Sequence, residues 1–400
     1  MLFYKCARVE WHPRGVLGAI VPWNYPFHNI LNPVSAAVFS GNAIIVKVSE
    51  HSLWSSRFYA RLIAQCLKAA GAPADLVQIV AGDGVAGSAL TREVDLMTFV
   101  GSTKVGKLVM REASTTLTPV VLELGGKDPF VLLPGAKVDA IVDTAARAGW
   151  GASGQNCIGA ERFFVHASLY DTFVAKICAI AGKMRQGPPL NAHGDTGVDI
   201  GAMCLPGEVK RIQALVDDAV EHGARVGAGG SGTEECGQFY RPTVILVEDA
   251  STAESRQMRL LQEEVFGPLI TVIKFETDEE LISLCNDCPF ALGSSIFGDD
   301  AHIARVGKHI NAGMLACNDF ATCYMCQSLP MGGLKDSGFG KFAGIEGLRG
   351  CCLTKAVVEV CCNPVYTANA WPWQLLTRRL LLVDGGWWGL VGAGGGWWWL

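Results

Sequence analysis

One cysteine, Cys157, lies in a polar turn pattern rather than in an apolar core pattern. It follows Ser-Gly-Gln-Asn, and glycine and asparagine both favour turns. A cysteine usually packs as a small hydrophobic residue, so packing is the ordinary interpretation. An accessible thiolate, however, is a strong nucleophile that could attack an electrophilic carbon. Because no histidine lies nearby in the sequence, the activating base would have to come from elsewhere in the fold.

Three other motifs could supply groups around such a thiol. Glu123 ends an apolar run in L-E-L-G-G-K, and a carboxylate beside a low-dielectric cleft tends toward a useful base strength. Asn24 lies between two prolines in P-W-N-Y-P, where a rigid amide could donate to an oxyanion, although a simple turn fits equally well. Glu264 and Phe266 in Q-E-E-V-F-G-P add a carboxylate and a ring, with a capped loop as the alternative.

Two further stretches follow apolar runs and could contact a dinucleotide. Lys47 and Glu50 in K-V-S-E could bind sugar hydroxyls, and Glu50 would repel a 2′-phosphate, which favours NAD over NADP. Gly101 and Ser102 in F-V-G-S-T precede a helical pattern whose first N–H groups suit a pyrophosphate. This stretch is neither G-x-G-x-x-G nor a Walker A loop. Taken alone, each is also compatible with an ordinary strand end or βα turn.

The elements that must position these residues alternate between strand and helix patterns, which indicates a mainly parallel sheet covered by helices. In the first part of the chain a helix is predicted at 53–70, and strands are predicted at 16–21, 43–48, 76–80, 96–100, 120–124 and 130–133. The second part predicts helices near 137–150, 168–184 and 207–222, and strands near 162–166, 243–247, 269–275 and 312–316. Ser168 and Asp171 predict a capping box. Short edge strands are predicted at 7–11 and 356–360.

Composition excludes several classes of protein. The 400 residues are 50% hydrophobic and 18% charged, which is typical of a globular chain with about two domains. The net charge of −5 and the absence of a Lys/Arg-rich run argue against a nucleic-acid partner. The 15 cysteines are scattered through a long chain, which favours a reducing compartment. The end of the chain, rich in glycine and tryptophan, contains Asp384 and makes a poor membrane span, so we interpret it as a read-through or shifted-frame tail.

Together, these stretches resemble the NAD(P)-dependent aldehyde dehydrogenase superfamily. The motifs P-W-N-Y-P, K-V-S-E, F-V-G-S-T, E-L-G-G-K, G-Q-N-C, E-E-V-F-G-P and P-M-G-G-L-K-D-S-G occur in the family's order over residues 7–362. The resemblance implies that Cys157 attacks an aldehyde to form a thiohemiacetal and then a thioester. It implies that Asn24 holds the oxyanion with the Cys157 N–H, and that Glu123 activates the hydrolytic water. It also implies NAD as cofactor, with NADP as the alternative, bound by Pro22, Trp23, Lys47, Glu50, Gly101, Ser102, Glu264 and Phe266.

The resemblance also implies an α/β fold with a Rossmann-type dinucleotide-binding domain, an α/β catalytic domain and short oligomerisation strands. The expected division begins with an oligomerisation strand at 1–13 and a dinucleotide-binding domain at 14–126 that lacks its N-terminal helical segment. A catalytic domain follows at 127–335, and a return segment at 336–353. A second oligomerisation strand at 354–362 and an atypical disordered tail at 363–400 end the chain. We expect a homodimer or homotetramer, no metal and no membrane association. A cytoplasmic location is favoured, since any targeting signal would lie in the missing segment.

The sequence departs from the family pattern at two positions that we note, Val100 for threonine and Met331 for phenylalanine, and the second could alter the substrate pocket. The C-x-x-C pairs at 285–288 and 323–326 could suggest zinc, but in relatives they fall on a surface loop and the substrate-entrance loop. Two alternatives to the oxidation stay open. One is a catalytically silent isoform or assembly partner, and the other is a coenzyme A-acylating enzyme, although Glu123 favours hydrolysis. The sequence does not name the aldehyde.

Overall fold

The computed structural model describes residues 5–190, 197–233, 237–360, 390–391 and 397–398. The chain divides into two compact units, one of Met1–Glu10 and Thr354–Leu400 and one of Trp11–Leu353. The tail predicted at 363–400 lies outside the described residues, apart from the antiparallel strands β20 (Leu390–Val391) and β21 (Trp397–Trp398). The domain boundaries given above stay predictions.

The edge strands predicted near the two ends of the chain pair with each other. They are β1 (Lys5–Pro13) and β19 (Cys352–Val360), which form a two-stranded sheet. In the unit of Met1–Glu10 and Thr354–Leu400, Arg8 forms ion pairs with Glu10 at 2.9 Å and with Glu359 at 2.6 Å. These pairs are exposed, so each contributes little to stability.

In the larger unit, the first sheet has six strands in the order β18-β6-β5-β2-β3-β4. The strands are β2 (Val16–Ile20), β3 (Ala43–Val48), β4 (Val77–Ala81), β5 (Leu96–Val100), β6 (Val120–Glu123) and β18 (Gly338–Phe339). All pair in parallel except β18, which lies antiparallel to β6. The helices of this part are α1 (Pro26–Phe39), α2 (Leu53–Ala69), α3 (Gly84–Arg92), α4 (Thr103–Ala113) and α12 (Gly344–Gly350).

The second sheet of that unit has seven strands in the order β16-β15-β7-β8-β13-β12-β9, of which only β9 is antiparallel to its neighbour. The strands are β7 (Asp128–Leu132), β8 (Ala160–His166), β9 (Arg225–Ala228), β12 (Thr243–Val247), β13 (Leu269–Phe275), β15 (Ser295–Phe297) and β16 (Ala316–Cys317). The helices are α5 (Val138–Trp150), α6 (Ala167–Lys183), α7 (Glu208–Glu221), α8 (Arg259–Gln262), α9 (Asp278–Asn286), α10 (Asp300–Gly307) and α11 (Thr322–Met325). Two short antiparallel pairs complete this part: β10 (Gly232–Thr233) with β11 (Phe239–Tyr240), and β14 (Phe290–Ala291) with β17 (Leu334–Lys335).

The core of the second sheet lies on both of its faces. Along β8, Phe163 and Val165 pack into one hydrophobic cluster, whereas Phe164 packs into another. Successive side chains of a strand point to opposite faces, so a strand covered on both sides is apolar throughout. For this reason the strands could be predicted from continuous apolar runs in the sequence. The predicted strands at 43–48, 96–100, 243–247 and 269–275 have the same bounds in the structure.

Two local predictions were wrong. Residues 312–315 form no strand, and β16 begins only at Ala316, because the backbone at Gly313 turns to donate to the Leu292 carbonyl at 2.9 Å. A Cβ at Gly313 would lie 1.8 Å from the Gly332 carbonyl oxygen, so this segment packs against a loop. The capping box at Ser168 is also absent. His166 caps α6 instead, because its Nδ1 accepts the Ser168 N–H at 3.2 Å.

Candidate functional site

A cavity of about 720 Å³ in the larger unit collects most of the predicted site residues. Its lining includes the predicted residues Pro22, Trp23, Asn24, Gly101, Ser102, Glu123, Cys157, Glu264 and Phe266. Lys47 and Glu50 are not part of that lining. They lie at the carboxyl end of β3, with Lys47 Nζ 3.3 Å from Glu50 Oε2, and the Val21 N–H donates to the Lys47 carbonyl at 3.1 Å. This hydrogen bond joins the K-V-S-E motif to the residue that directly precedes the P-W-N-Y-P motif.

Glycines let three of the motifs approach one another backbone to backbone. A Cβ at Gly126 would lie 2.3 Å from the Cys157 carbonyl oxygen, and one at Gly125 would lie 2.5 Å from Glu264 Oε2. Gly154 has a positive φ of 72°, and a Cβ there would lie 1.9 Å from a backbone oxygen of the E-E-V-F-G-P motif. Since a larger side chain at Gly126 or Gly154 would force two backbones apart, these two glycines let the three motifs line one cavity.

The turn that carries the thiol is held in an unusual conformation. Ala152 and Ser153 have positive φ angles of 54° and 58°, which non-glycine residues seldom adopt. The side chain of Gln155 stabilises the turn from both sides: its Nε2 donates to the Ala152 carbonyl at 3.1 Å, and its Oε1 accepts from the Cys204 N–H at 2.8 Å. The neighbouring structure thus fixes the position of the Cys157 backbone.

The thiol and the proposed base interact directly. The Glu123 carboxyl is only 3% exposed, its Oε1 has no hydrogen-bond partner among the described residues, and the Cys157 thiol lies close enough to shift its pKa. Burial raises the pKa of Glu123 to about 7, although the neighbouring Cys157 thiol opposes that shift. Burial and the nearby Glu123 carboxylate raise the pKa of Cys157 well above its usual range. At neutral pH the thiol therefore holds its proton next to a carboxyl that is poised to accept one.

The amide of Asn24 is oriented by a residue that sequence reasoning missed. Asn29, buried on α1, donates from Nδ2 to Asn24 Oδ1 at 3.1 Å and to the Pro22 carbonyl at 3.4 Å. Because Asn24 Oδ1 accepts this hydrogen bond, Asn24 Nδ2 faces the turn that carries Cys157. There it donates to the Gln155 carbonyl at 3.1 Å. The only sequence signal was a second asparagine one helical turn into α1, which resembles any polar helix residue.

The loop of Glu264 and Phe266 faces the same cavity. Glu264 Oε1 accepts the Gly126 N–H at 3.0 Å, and burial, with Glu161 nearby, raises the pKa of Glu264 to about 8. Phe266 has a positive φ of 48°, and its ring stands edge-on to Trp23, with ring centroids 5.8 Å apart. An aromatic edge and a carboxyl at one end of the cavity are suited to a flat heterocycle joined to a sugar.

A buried ion pair holds this loop, and sequence reasoning missed it as well. Lys127 Nζ lies 2.6 Å from Glu161 Oε2, with both side chains buried. The Glu161 carboxylate also accepts the N–H groups of Val265 and Phe266 at 2.9 Å. These extra hydrogen bonds compensate for removing the charges from water. The available signal was the charged pair Glu161-Arg162 inside an otherwise apolar strand.

The start of α4 offers an anion site beside the cavity. Ser102 caps the helix by accepting the Val105 N–H at 3.5 Å, so the first turn of α4 begins at the cavity lining. A Cβ at Gly101 would lie 2.7 Å from the Phe99 ring, so the close approach of this ring to the backbone requires glycine here. Helix N-termini favour phosphate, so the site fits a dinucleotide at Ser102, Glu264 and Phe266. Among the described residues no group of His, Cys, Asp or Glu is arranged to hold a metal ion.

The sequence pattern of the aldehyde dehydrogenase family matches residues 4–357. The chain belongs to the aldehyde dehydrogenase family. It is 41% identical over 372 residues to an aldehyde dehydrogenase-like protein of Saccharomyces cerevisiae, covering 89% of this chain but 56% of that one. It is 33% identical to an NADP+ succinate-semialdehyde dehydrogenase of Mycolicibacterium smegmatis, covering 85% of this chain and 64% of the relative.

Solved structures of the family share the fold. PnpE in complex with nicotinamide adenine dinucleotide superposes with a TM-score of 0.82 at 30% identity, covering 92% of this chain and 73% of that one. Succinate-semialdehyde dehydrogenase of Burkholderia pseudomallei gives a TM-score of 0.80 at 31% identity, covering 90% and 72%. The predicted family and α/β fold are confirmed. Every helix among the described residues is too short or too polar to cross a membrane.

Proposed function

We propose that the protein oxidises an aldehyde to a carboxylic acid, with NAD as the preferred hydride acceptor and NADP as the alternative. The observation that carries this proposal is that the half-buried thiol of Cys157, the buried carboxyl of Glu123 and the oriented amide of Asn24 line one cavity. Family membership supports the same class of reaction. The relatives named above are longer than this chain, so its activity is inferred from its own site.

The first step is attack on the aldehyde. Glu123, with a pKa of about 7, accepts the Cys157 proton as the sulfur bonds to the carbonyl carbon. The negative charge that forms on the carbonyl oxygen is held by Asn24 Nδ2 and the backbone N–H of Cys157. This N–H has no hydrogen-bond acceptor in the described part of the chain. An oriented donor of this kind lowers the barrier because it needs no reorganisation.

Bound NAD(P)+ supplies the hydride acceptor, and Ser102, Glu264 and Phe266 are the lining residues that would hold it. Once the carbon has lost its hydride, a thioester links it to Cys157. Glu123 releases its first proton to solvent and then takes a proton from water, whose oxygen attacks the thioester carbon. The carbon–sulfur bond breaks, Glu123 gives the proton it took from water to the leaving sulfur, and the carboxylic acid is released.

The preference for NAD rests on Glu50. This carboxylate is half exposed at the end of β3, and a backbone hydrogen bond and the neighbouring Lys47 lower its pKa, so it is charged at neutral pH. A charge at this position would bind ribose hydroxyls and repel a 2′-phosphate. The ratio of kcat/KM with NAD to that with NADP measures this preference, and a ratio that does not fall in Glu50→Gln would contradict the role of Glu50.

The experiment that tests the oxidation is the formation of reduced nicotinamide, followed by absorbance, with a panel of aldehydes and without coenzyme A. Turnover that depends on Cys157 supports the proposal. Turnover that requires coenzyme A would favour the acylating reaction. No turnover with any aldehyde, together with no dinucleotide binding by calorimetry, would favour the silent assembly partner.

We also infer a homodimer or homotetramer. The supporting observation is that, within the part of the chain that the structure describes, β1 and β19 pair only with each other, and the residues of β1 are nearly all exposed. Such a sheet has edges that can pair with another chain. Sedimentation equilibrium measures the assembly, and a folded monomer at all concentrations would contradict the inference.

A further inference from the structure

Three polar side chains in the cavity lining take no part in the steps above. His28 and Asn32 lie one turn apart on α1, so both project from the same face of the helix. Asn32 Nδ2 lies 3.3 Å from His28 Nε2, and the hydroxyl of Tyr324, on α11, is hydrogen-bonded to the same nitrogen. All three residues line the cavity that contains Cys157. We refer to His28, Asn32 and Tyr324 as the polar cluster.

The polar cluster lies close to the nucleophile and beside an apolar part of the lining. Tyr324 and Cys157 both pack against a hydrophobic group made by Ile158, Leu292, Met331 and Phe342. Burial raises the pKa of Tyr324, and the nearby Cys157 adds to that shift, so the two side chains are within electrostatic range. A small substrate held at Cys157 therefore meets both this apolar group and the polar cluster.

The charges of the lining disfavour an anionic substrate. Arg211 is the only described lining residue with a permanent positive charge, and it is already engaged. Its guanidinium lies 2.7 Å from Glu208 Oε2 and donates to the Glu264 carbonyl at 3.2 Å. Burial lowers the pKa of His28, which is therefore neutral at pH 7. A substrate carboxylate would find no free cation among these residues and would have to be desolvated without a partner.

The polar cluster is suited to a neutral group that both donates and accepts hydrogen bonds. A neutral imidazole has one N–H and one bare nitrogen, the Asn32 amide has an oxygen beside its NH₂, and a tyrosine hydroxyl does both. The internal contacts of the cluster use only part of this capacity. An alcohol is the simplest substrate group with the same dual character.

We propose that the substrate is an uncharged hydroxyaldehyde, whose hydroxyl binds the polar cluster while its aldehyde carbon reaches Cys157. This inference rests on the proposed oxidation and specifies its substrate class. It separates this chain from its relatives that are named for succinic semialdehyde, which carries a carboxylate. A site built to bind a hydroxyl rejects an analogue that lacks it, because its polar groups then lose a partner.

The first test compares isosteric substrates with the unaltered protein. We measure kcat/KM for 3-hydroxypropanal, butanal and succinic semialdehyde, and for the longer series 6-hydroxyhexanal, heptanal and 6-oxohexanoate. In at least one series we expect kcat/KM for the hydroxyaldehyde to be about tenfold higher than for the alkanal, which is the effect of one hydrogen bond. The difference between the hydroxyaldehyde and the anion should be larger still. Equal values for hydroxyaldehyde and alkanal in both series, or a preference for the anions, would overturn the inference while leaving the oxidation intact.

The second test assigns the preference to the polar cluster. Tyr324→Phe and His28→Leu should lower the ratio of hydroxyaldehyde to alkanal toward one, mainly through KM. The matched control is Tyr59→Phe, which removes a tyrosine hydroxyl on α2, away from the lining, and should keep the ratio of the unaltered protein. A ratio that persists in both cluster variants would overturn the assignment.

A binding measurement separates this inference from the oxidation itself. Calorimetry with Cys157→Ala gives the dissociation constants of 6-hydroxyhexanal and heptanal without turnover. Tighter binding of the hydroxyaldehyde by about tenfold supports hydroxyl recognition even if no aldehyde is oxidised, in which case only the proposed oxidation fails. Equal dissociation constants count against the inference whether or not the enzyme turns over.

Discussion

The cavity lining has two parts that are held in place differently. The nucleophile part consists of Asn24, Glu123, Cys157, Glu264 and Phe266, and it is fixed by glycines in close backbone contact and by the buried pair of Lys127 and Glu161. The polar cluster is joined by side-chain hydrogen bonds, one within α1 and one between α1 and α11, and its Tyr324 packs against apolar side chains. The glycines of the nucleophile part can hardly be replaced, because a side chain there would displace a backbone. A residue of the polar cluster can be replaced without moving the backbone.

This difference suggests a division of roles. Chemistry on the bound carbon needs atoms placed to within a fraction of an ångström, which rigid backbone contacts provide. Selection among aldehydes needs only a suitable set of hydrogen-bonding groups, which side chains on two helices provide. Changes in the nucleophile part should therefore affect every aldehyde, and changes near the polar cluster should alter the ranking of aldehydes.

The largest expected effect is that of Cys157→Ala. Loss of the nucleophile should lower kcat by about 10³-fold or more for every aldehyde, since the covalent route is removed. Steady-state formation of reduced nicotinamide measures the loss. The control is Cys66→Ala, which removes an exposed thiol on α2 and should keep full activity. Comparable activity in Cys157→Ala would remove the proposed nucleophile.

The next effect concerns the backbone contacts of the nucleophile part. Gly154→Ala places a Cβ 1.9 Å from a backbone oxygen at a residue with φ of 72°. We expect a loss of about 2–4 kcal/mol in the free energy of unfolding, from backbone strain and overpacking. Denaturant unfolding measures it.

Gly182→Ala is the matched control for this change. Gly182 lies within α6, and a Cβ there would meet nothing within 4 Å. Alanine should therefore leave stability unchanged or raise it by about 0.5–1 kcal/mol. Equal unfolding free energies for the two variants would show that the backbone contact at Gly154 is unimportant.

A smaller effect is the dependence of activity on pH. Glu123 must be ionised to accept a proton, and its pKa is about 7. Below that value kcat/KM should rise by about tenfold per pH unit, and it should level off above it. Glu123→Gln should abolish this rise along with most of the activity. A profile that is flat between pH 5 and 7 in the unaltered protein would contradict the role of Glu123.

The smallest effect is expected at the boundary between the two parts. Met331→Phe places a larger, rigid side chain against Ile158 and Phe342. We expect KM to change by about three- to tenfold, in different directions for short and branched aldehydes, because the apolar pocket changes shape. The Gly154 contact is untouched, so the unfolding free energy should change by less than that of Gly154→Ala. A uniform fall in kcat for all aldehydes would contradict the division of roles.

Much of the nucleophile part was predictable from the sequence. Cys157, Glu123 and Asn24 each follow a strand or turn pattern with glycine or proline beside them, and the structure brings all three to one cavity. Their neighbours were not predictable. Asn29 and Glu161 act through contacts to residues that are distant in sequence or on another element, and their own local patterns resemble ordinary helix and strand residues.

The prediction of a strand at 312–316 was wrong for a related reason. A short apolar run favours a strand, but the backbone at Gly313 is drawn into a loop contact that local propensity does not contain. Lys47 and Glu50 were predicted correctly as a strand-end pair, yet they lie outside the cavity lining. The spacing of the motifs predicted the order of Lys47 and Glu50 along the chain, but it contained no information about their distance from the Cys157 thiol.

The sequence by itself determined the alternation of strands and helices, the family and the motif residues, because periodicity and turn chemistry are local properties of the chain. Only the tertiary structure decided that Gly126 and Gly154 bring three motifs into backbone contact, that Glu123 is buried against the thiol, and that His28 meets Tyr324. These outcomes depend on burial and on contacts between residues far apart in the chain, which no local pattern encodes.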